Sequence, residues 1–262
     1  MDEAKRAGRK FSRLVCIMEK LRSEKGCPWD REQDEKTLRN YFLEEVYEAI
    51  EALLSGDTDS LTEELGDVLM EVVFLAQIFK ENGEFTISSV LDRINRKMVE
   101  RHPHVFGNKE ITRSSEVTKE WQRIKNASKK EKSILNGIPK TSPALHSAYE
   151  IGRKCASVGF DWENSNDVFN KIKEEMEELE QAMAQKKSAD IIEEAGDLLF
   201  ALANLFRHLG CNPELALLRA NQKFIRRFAY MEEQLRKEGK RPEDTDLNQL
   251  DALWNEAKEK VD

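Results

Sequence analysis

The sequence carries the same acidic pattern twice, and this repetition constrains the fold more than any other feature. A Glu-Glu-x-x-Glu run at residues 44–48 recurs at 174–178, and a Glu-Glu-x-Gly-Asp run at 63–67 recurs at 193–197. Both recurrences are offset by 130 positions. Ordered matches at one constant offset indicate an internal duplication, so each half is expected to fold as a unit of similar design.

The segment between the two copies differs in composition from both. Residues 126–143 are rich in Lys, Ser, Asn, Gly and Pro and show little apolar periodicity, which is typical of a linker or an exposed connection. The predicted organisation is a domain at 1–126, a linker at 127–144 and a second domain at 145–262. A chain of 262 residues suffices for two small domains that each bury a core.

Local patterns predict helices throughout. Apolar residues recur at helical spacing across 9–22, and the Ser-Gly-Asp sequence at 55–57 and the Asn-Gly pair at 82–83 are expected helix ends. Residues 60–63 form a capping-box pattern that would begin the helix between those ends, and Pro213 suits the first position of a helix in the second half. No segment alternates with the period of a strand, so the predicted fold class is all-α, with a helical bundle in each half.

Charge and hydropathy argue against several classes of partner. The chain has 42 basic and 50 acidic residues, and this net charge of −8 argues against a nucleic acid or an anionic membrane as the main partner. No apolar stretch approaches the length of a membrane span, and the first residues lack the apolar core of a signal peptide. The four cysteines are widely spaced, which favours reduced thiols and predicts a cytoplasmic protein.

The repeated carboxylates are candidates for a metal site. Glu45 and Glu48 are three residues apart on one predicted helix, and Glu64 and Asp67 are three apart on the next. The second of these helices is apolar over most of its circumference and is predicted to be largely buried, where ionised carboxylates are costly unless a cation compensates them. A solvated helix face is the simpler explanation for one acidic run, but it does not explain a set that recurs.

The ligand chemistry narrows the choice of metal. Two antiparallel helices can bring these four carboxylates to one point, and four carboxylates without His or Cys offer hard oxygen ligands. Such a set favours Mg²⁺, with Mn²⁺ as a substitute. A di-iron carboxylate bundle would require Glu-x-x-His motifs, which the chain lacks.

Pairs of basic residues accompany the acidic motifs in each half. Lys97 and Arg101 are four residues apart, as are Lys223 and Arg227. Such pairs are usually solvated, but beside a metal site they are expected to bind the phosphate oxygens that the metal does not reach. During hydrolysis they would offset the charge that accumulates on the transferred phosphoryl group.

Each half also ends with a tryptophan that is followed four residues later by a lysine. These pairs are Trp121 with Lys125 and Trp254 with Lys258. The indole ring could stack on a nucleobase while the lysine holds a phosphate. A role in the hydrophobic core is the alternative for either ring.

The succession of Glu-Glu-x-x-Glu and Glu-x-x-Asp, in the same order in both halves, resembles the MazG family of all-α nucleoside triphosphate pyrophosphohydrolases. The Asn-x-Lys-x-x-x-Arg segment at 221–227 and the Trp-x-x-x-Lys segment at 254–258 are similar to that family's nucleotide-contacting elements. The resemblance implies tandem MazG-type domains and a homodimer. It also implies cleavage of ribo- and deoxyribonucleoside triphosphates between the α- and β-phosphates, which releases a nucleoside monophosphate and pyrophosphate.

The resemblance assigns residues by position. The implied metal ligands are Glu45, Glu48, Glu64, Asp67, Glu175, Glu178, Glu194 and Asp197. The implied nucleotide contacts of the second half are Lys171, Asn204, Asn221, Lys223, Arg227, Trp254 and Lys258. Glu44 and Glu174, each beside a metal ligand, are candidates to orient or deprotonate the attacking water.

The first half departs from this pattern at two positions. Tyr41 stands where the second half has Lys171, and Phe74 stands where it has Asn204. The main prediction is therefore a Mg²⁺-dependent nucleoside triphosphate pyrophosphohydrolase in which the second half is the stronger candidate for catalysis. Two alternatives remain open. One half is a regulatory nucleotide-binding module, or the chain is a non-enzymatic helical scaffold with acidic faces.

Overall fold

All regular structure in the described part of the chain is helical. The computed structural model describes residues 2–108, 113, 116–117, 120–121, 124 and 133–261. The chain divides into two compact units, Met1–Glu116 and Val117–Asp262. The all-α prediction is confirmed for these residues. The predicted boundaries at 126 and 144 stay a prediction, since most of residues 109–132 lie outside the described part.

The first unit is built around one pair of long helices. Within residues 2–108 its helices are α1 (Asp2–Leu21), α2 (Pro28–Glu32), α3 (Leu38–Ser55), α4 (Thr58–Glu81), α5 (Ile87–Arg101) and α6 (Pro103–Phe106). Helices α3 and α4 are in extensive contact and are joined by only two residues, so they run antiparallel. This arrangement places the two acidic motifs, one on each helix, opposite each other.

The connection between α3 and α4 follows from local chemistry. Gly56 takes a left-handed conformation with φ of 77° and donates its N–H to the carbonyl of Ala52, which ends α3. The side chain of Asp57 then accepts hydrogen bonds from the backbone N–H groups of Asp59 and Ser60 at 3.0 and 3.2 Å. Helix α4 therefore begins at Thr58. The predicted capping box at 60–63 was wrong, because Asp57 caps the helix earlier.

The core of the first unit lies between α1, α3 and the later turns of α4. Its buried residues are Met18, Leu38, Val73, Phe74 and Ile78. Buried and partly buried residues of α1 pack against those later turns, whereas Leu65 and Leu69 near the start of α4 remain exposed. The prediction that α4 is largely buried is therefore correct for its C-terminal half and wrong for its N-terminal half.

The second unit repeats the central helix pair. Between residues 133 and 261 its α-helices are α7 (Ala144–Ala156), α8 (Ser165–Gln185), α9 (Ser188–His208), α10 (Pro213–Lys237) and α11 (Leu247–Lys260), with a short 3₁₀ helix at Pro242–Asp244. Helices α8 and α9 are joined by two residues and correspond to α3 and α4. As predicted, α10 begins at Pro213, and the Asn212 side chain caps it by accepting from the N–H of Glu214 at 3.0 Å.

The remaining helices of the second unit pack beside this pair. Helix α7 contacts α9 and α10, and α10 packs on α11 through a core of Met231, Leu235 and Leu253. No helix among the described residues is long and apolar enough to cross a lipid bilayer.

Candidate functional site

The antiparallel pair α3/α4 brings carboxylates of the first half together. Oxygen atoms of Glu45, Glu64 and Asp67 all lie within 4.8 Å of one another. Glu48 lies beside Glu64 and shares a hydrogen bond with it. Partial desolvation, followed by the neighbouring carboxylates, raises the pKa of Glu45 and of Glu64 above the usual value. The site thus concentrates negative charge that a cation would relieve.

The pair α8/α9 repeats this cluster in the second half. Oxygen atoms of Glu175, Glu194 and Asp197 lie within 4.8 Å of one another. Desolvation is the largest cause that raises the pKa of Glu194, and the charge of Glu178 is the next. Glu175 is 5% exposed, and its Oε2 has no hydrogen-bond partner among the described residues.

Lys171 supplies a cation to the second cluster. Its ammonium group lies 2.6 Å from Glu174 Oε1 and 2.7 Å from Glu175 Oε1. Hydrogen bonds to these two carboxylates raise the pKa of Lys171 above its usual value. The predicted nucleotide-binding lysine therefore lies against a predicted metal ligand. The first half has Tyr41 at this position, which cannot provide the charge.

A fifth carboxylate adjoins the first cluster, and sequence reasoning missed it. Glu71 on α4 is 3% exposed, and its Oε2 has no hydrogen-bond partner among the described residues. Burial, followed by the charges of Glu45 and Asp67, raises the pKa of Glu71 to about 7. The available signal was its spacing of four from Asp67 on the same helix. Glu71 is not one of the residues that recur in both halves, because the second half has Ala201 at the corresponding position.

A cavity of about 330 Å³ opens beside the second cluster. Its lining is largely apolar and aromatic, with a few polar groups. The lining residues are Ile151, Gly152, Cys155, Gly159, Phe160, Asp161, Trp162, Phe200, Asn204 and Arg207. A mostly apolar concavity of this size with convergent polar groups is typical of a small-molecule site.

Buried polar contacts fix one wall of this cavity. Asn204 is fully buried, donates from Nδ2 to the carbonyl of Phe200 at 3.1 Å, and accepts from Arg207 Nε at 3.2 Å. Arg207 Nη1 donates to Asp161 Oδ2 at 2.9 Å, and His208 Nε2 lies 3.1 Å from Oδ1 of the same carboxylate. Burial acts to raise the pKa of Asp161, but these hydrogen bonds outweigh it and hold that pKa below its usual value.

The cavity and the second carboxylate cluster lie on one face of α9. Asp197 and Asn204 are seven residues apart, which is two helical turns and about 10 Å along the axis. In the first half the position of Asn204 is taken by Phe74, which is 2% exposed and packs in the core. The guanidinium of Arg22 lies 5.4 Å from the centroid of that ring. Apolar packing therefore occupies this position in the first half.

The predicted nucleotide contacts of α10 and α11 form a separate group. The guanidinium of Arg227 lies 5.6 Å from the ring centroid of Trp254, which packs against the core of Met231, Leu235 and Leu253. Lys258 Nζ lies 3.0 Å from Asn255 Oδ1. Within the described residues, no hydrogen bond or ion pair joins Asn221, Lys223 or Lys258 to the carboxylates of α8 and α9. The nucleotide-binding role of this group stays a prediction.

The predicted basic and aromatic residues of the first half are more dispersed. Lys97 lines an apolar groove between α1, α4 and α5, and Arg101 is half-buried at the end of α5. Trp121 is half-buried, and Lys125 lies outside the described residues. Glu44 and Glu174 are both exposed, and their role in the activation of water stays a prediction.

A family model matches a segment of each half. Residues 33–106 match the MazG nucleotide pyrophosphohydrolase domain, and residues 156–223 match the phosphoribosyl-ATP pyrophosphohydrolase family. Each matched segment contains the carboxylate cluster of its half.

Similarity extends over almost the whole chain. The chain is 45% identical to the nucleoside triphosphate pyrophosphohydrolase/pyrophosphatase MazG of Thermotoga maritima, over 97% of this chain and 98% of that protein. It is 43% identical to the nucleoside triphosphate pyrophosphohydrolase of Escherichia coli K12, over 95% of this chain and 97% of that protein. It is also 44% identical to the uncharacterized protein YabN of Bacillus subtilis, over 99% of this chain and 54% of that protein.

Proposed function

Since the chain belongs to the MazG family of nucleoside triphosphate pyrophosphohydrolases, we propose that its second half carries the principal catalytic site. The enzyme is a hydrolase that acts on acid anhydrides. The observation that carries the proposal is that the carboxylate cluster and the apolar cavity share one face of α9, on which Asp197 and Asn204 are about 10 Å apart along the helix axis. A nucleotide with its phosphates at the carboxylates and its base in the cavity spans a comparable distance.

The donor set of the second half fits a magnesium ion. All four groups are carboxylates, and the buried Oε2 of Glu175 has no hydrogen-bond partner within residues 2–108 and 133–261, as expected of an oxygen that binds a cation. Glu175, Glu178, Glu194 and Asp197 would hold the ion. When bound, Mg²⁺ supplies polarisation of phosphoryl oxygens and lowers the pKa of a water molecule.

The protein's own groups would then place the triphosphate. Lys171, Lys223 and Arg227 would bind phosphate oxygens, and Glu174 would orient or deprotonate the attacking water. Attack at the α-phosphorus breaks the bond to the bridging oxygen between the α- and β-phosphates, and pyrophosphate leaves with that oxygen. The products are a nucleoside monophosphate and pyrophosphate.

The cavity suits the nucleobase. Phe160, Trp162 and Phe200 offer aromatic faces, and stacking on such rings is worth about 1–3 kcal/mol per base. Asn204 lines the cavity and is fully buried, and its Oδ1 accepts from Arg207 and would hold that side chain at the wall. Stacking alone does not distinguish between bases, because every base has an aromatic face. Arg207 and Asp161 are therefore the groups most suited to discriminate between bases.

We further propose that the enzyme is a cytoplasmic homodimer without a nucleic-acid or membrane partner. The net charge of −8 supports the last point. Large apolar side chains on both central helix pairs and on α10 remain exposed in one copy of the chain, which favours burial against a second copy. These residues are Leu65, Leu69, Met183, Ile192, Leu199, Phe224 and Ile225.

A second candidate function concerns the first half alone. Phe74 fills the position that Asn204 holds beside the cavity, while the first carboxylate cluster is complete. These two observations favour a first half that binds metal without efficient turnover of a nucleotide. Such a half would act as a regulatory or structural module.

The decisive experiment removes one cluster at a time from the full-length chain. Glu175→Gln combined with Glu178→Gln should abolish release of pyrophosphate from a panel of ribo- and deoxyribonucleoside triphosphates. The matched variant Glu45→Gln with Glu48→Gln should keep the greater part of it. Circular dichroism controls for loss of the helical fold. If the second-half variant hydrolyses at the wild-type rate, the catalytic assignment is wrong.

A further inference from the structure

The two carboxylate clusters differ in charge because two corresponding positions differ. The first half has Glu71 where the second half has Ala201, and Tyr41 where the second half has Lys171. The first cluster therefore gains one buried carboxylate, and the second gains one ammonium group. The repeat has preserved the shared ligands and changed the charge balance around them.

Glu71 adjoins the first cluster at the buried half of α4. It follows Asp67 by four residues on the same helix and interacts electrostatically with Asp67 and with Glu45 across the helix pair. The side chain is 97% removed from solvent, and its Oε2 has no hydrogen-bond partner in the described part of the chain. A buried carboxylate beside two others is costly unless a cation lies among them. The arrangement therefore favours a bound cation, because no described residue donates a hydrogen bond to Oε2 of Glu71.

The second cluster already contains its counter-ion. The ammonium of Lys171 lies 2.7 Å from Glu175 and 2.6 Å from Glu174. At the depth of Glu71, this half has the buried methyl group of Ala201, which offers no ligand. A divalent ion that binds Glu175 must compete with the lysine. That competition weakens when a triphosphate is bound, because its phosphate oxygens can accept hydrogen bonds from the ammonium group.

We propose that the first half holds a resident divalent cation in the absence of nucleotide, with Glu45, Glu64, Asp67 and Glu71 as ligands, whereas the second half binds its metal together with the triphosphate. Affinity for such an ion rises with the number of charged oxygen ligands. The first site then acts as a constitutive metal site that ties α3 to α4. This inference rests on the proposed metal function of the carboxylates and does not depend on which half hydrolyses.

Binding of Mn²⁺ to the nucleotide-free protein tests the proposal directly. The full-length chain is stripped with chelator, and free Mn²⁺ is measured by electron paramagnetic resonance during titration. The background variant Glu194→Gln with Asp197→Asn blocks the second cluster. We expect one tight site per chain that survives this block and disappears in Glu45→Gln with Asp67→Asn. A tight site that is lost with the second-half block would overturn the assignment.

Glu71→Gln isolates the fifth carboxylate, because the amide keeps the shape of the side chain and removes its charge. In the background of Glu194→Gln with Asp197→Asn, this variant should weaken Mn²⁺ binding at least about tenfold. This is the smallest loss of affinity that is typical when residues around a bound metal are mutated. Unchanged affinity would show that Glu71 is not a ligand. Glu81→Gln, on the same helix but paired with Arg22, is the matched control and should leave the affinity unchanged.

The reverse exchange tests the same reasoning in the second half. Lys171→Tyr combined with Ala201→Glu, in the background of Glu45→Gln with Asp67→Asn, should create tight Mn²⁺ binding without nucleotide. Because Ala201 is buried, circular dichroism must show that the variant folds, and Lys171→Tyr alone should still tighten binding. Failure of both folded variants to bind more tightly would contradict the role given to Lys171. Pyrophosphate release by the wild-type chain is measured separately, so failure of this inference is distinguishable from failure of the proposed function.

Discussion

Replacement of Gly152 by alanine tests the geometry of the cavity in the second half. Gly152 lies in α7, and a Cβ atom built on it would lie 2.1 Å from Asn204 Oδ1 and 2.9 Å from Arg207 Nε. Separations below 3.0 Å between such atoms require something to move. Asn204 cannot move freely, because it is fully buried and bonded to Phe200 and Arg207.

The expected loss of stability follows from three contributions. Forcing an extra methyl group into a packed interior costs about 1–3 kcal/mol. Displacement of Asn204 also weakens its hydrogen bond to the Arg207 guanidinium, which is worth about 1.5–3 kcal/mol. Alanine recovers up to about 1 kcal/mol through its higher helix propensity. The net expectation is that Gly152→Ala lowers the free energy of unfolding by roughly 2–4 kcal/mol.

Urea unfolding and steady-state kinetics measure the two consequences. The midpoint of unfolding should fall, and the KM for nucleoside triphosphates should rise more than kcat changes, because the wall of the base cavity moves while the carboxylates do not. Gly196→Ala is the matched control for stability, since a Cβ there meets nothing within 4 Å. That variant should be neutral or slightly more stable.

A double-mutant cycle provides the refutation. Asn204→Ala removes the atom that the new methyl group meets, so Gly152→Ala should cost much less in that background. The coupling between the two sites is expected to exceed about 1 kcal/mol, well above the 0.3–0.5 kcal/mol error of additivity. If Gly152→Ala is as stable as the wild type and the coupling vanishes, the close approach of α7 to α9 is wrong.

Three further predictions concern charge and metal. Lys171→Met leaves the buried carboxylate of Glu175 without its ammonium partner and should destabilise the metal-free protein by about 1–3 kcal/mol. This loss is smaller than the usual cost of breaking a buried pair, because the side chain of Lys171 is one-third exposed. Urea unfolding measures the loss, and added Mg²⁺ should restore most of the lost stability. The pKa of Asp161 is lowered in the folded state, so the stability that its ionised form contributes is complete above its unfolded pKa of about 3.9 and disappears as the pH falls further. Melting curves should therefore show that acid lowers the Tm of Asp161→Asn less than the Tm of the wild type. Equal decreases in Tm would contradict the ion pair with Arg207. Saturation with Mg²⁺ and a non-hydrolysable nucleotide at 100 times the Kd should stabilise the wild type by about 2.7 kcal/mol, and an unchanged Tm would favour the alternative of a non-enzymatic scaffold.

The carboxylate clusters show how far spacing along the chain carries a prediction. The sequence predicts that Glu45, Glu64 and Asp67 converge, because two helices joined by a short connection run antiparallel and helical periodicity places these carboxylates on facing surfaces. Glu71 could not be predicted in this way, because the repeat identifies only residues that are present in both halves. Lys171 was recognised, but its contact with Glu175 depends on the side-chain direction one helical turn away.

The all-α class, the duplication and the positions of the acidic motifs could be predicted from the amino-acid order alone, because periodicity, capping residues and repeated motifs are visible along the chain without knowledge of packing. Tertiary packing alone settled that the second half has a cavity at Asn204, whereas the first half has a packed core at the corresponding position. That outcome depends on Gly152 of α7 meeting Asn204 and Arg207 of α9, and on Phe74 filling the corresponding position of the first half. Contacts between residues some fifty positions apart arise from packing, and no local pattern in the sequence encodes them.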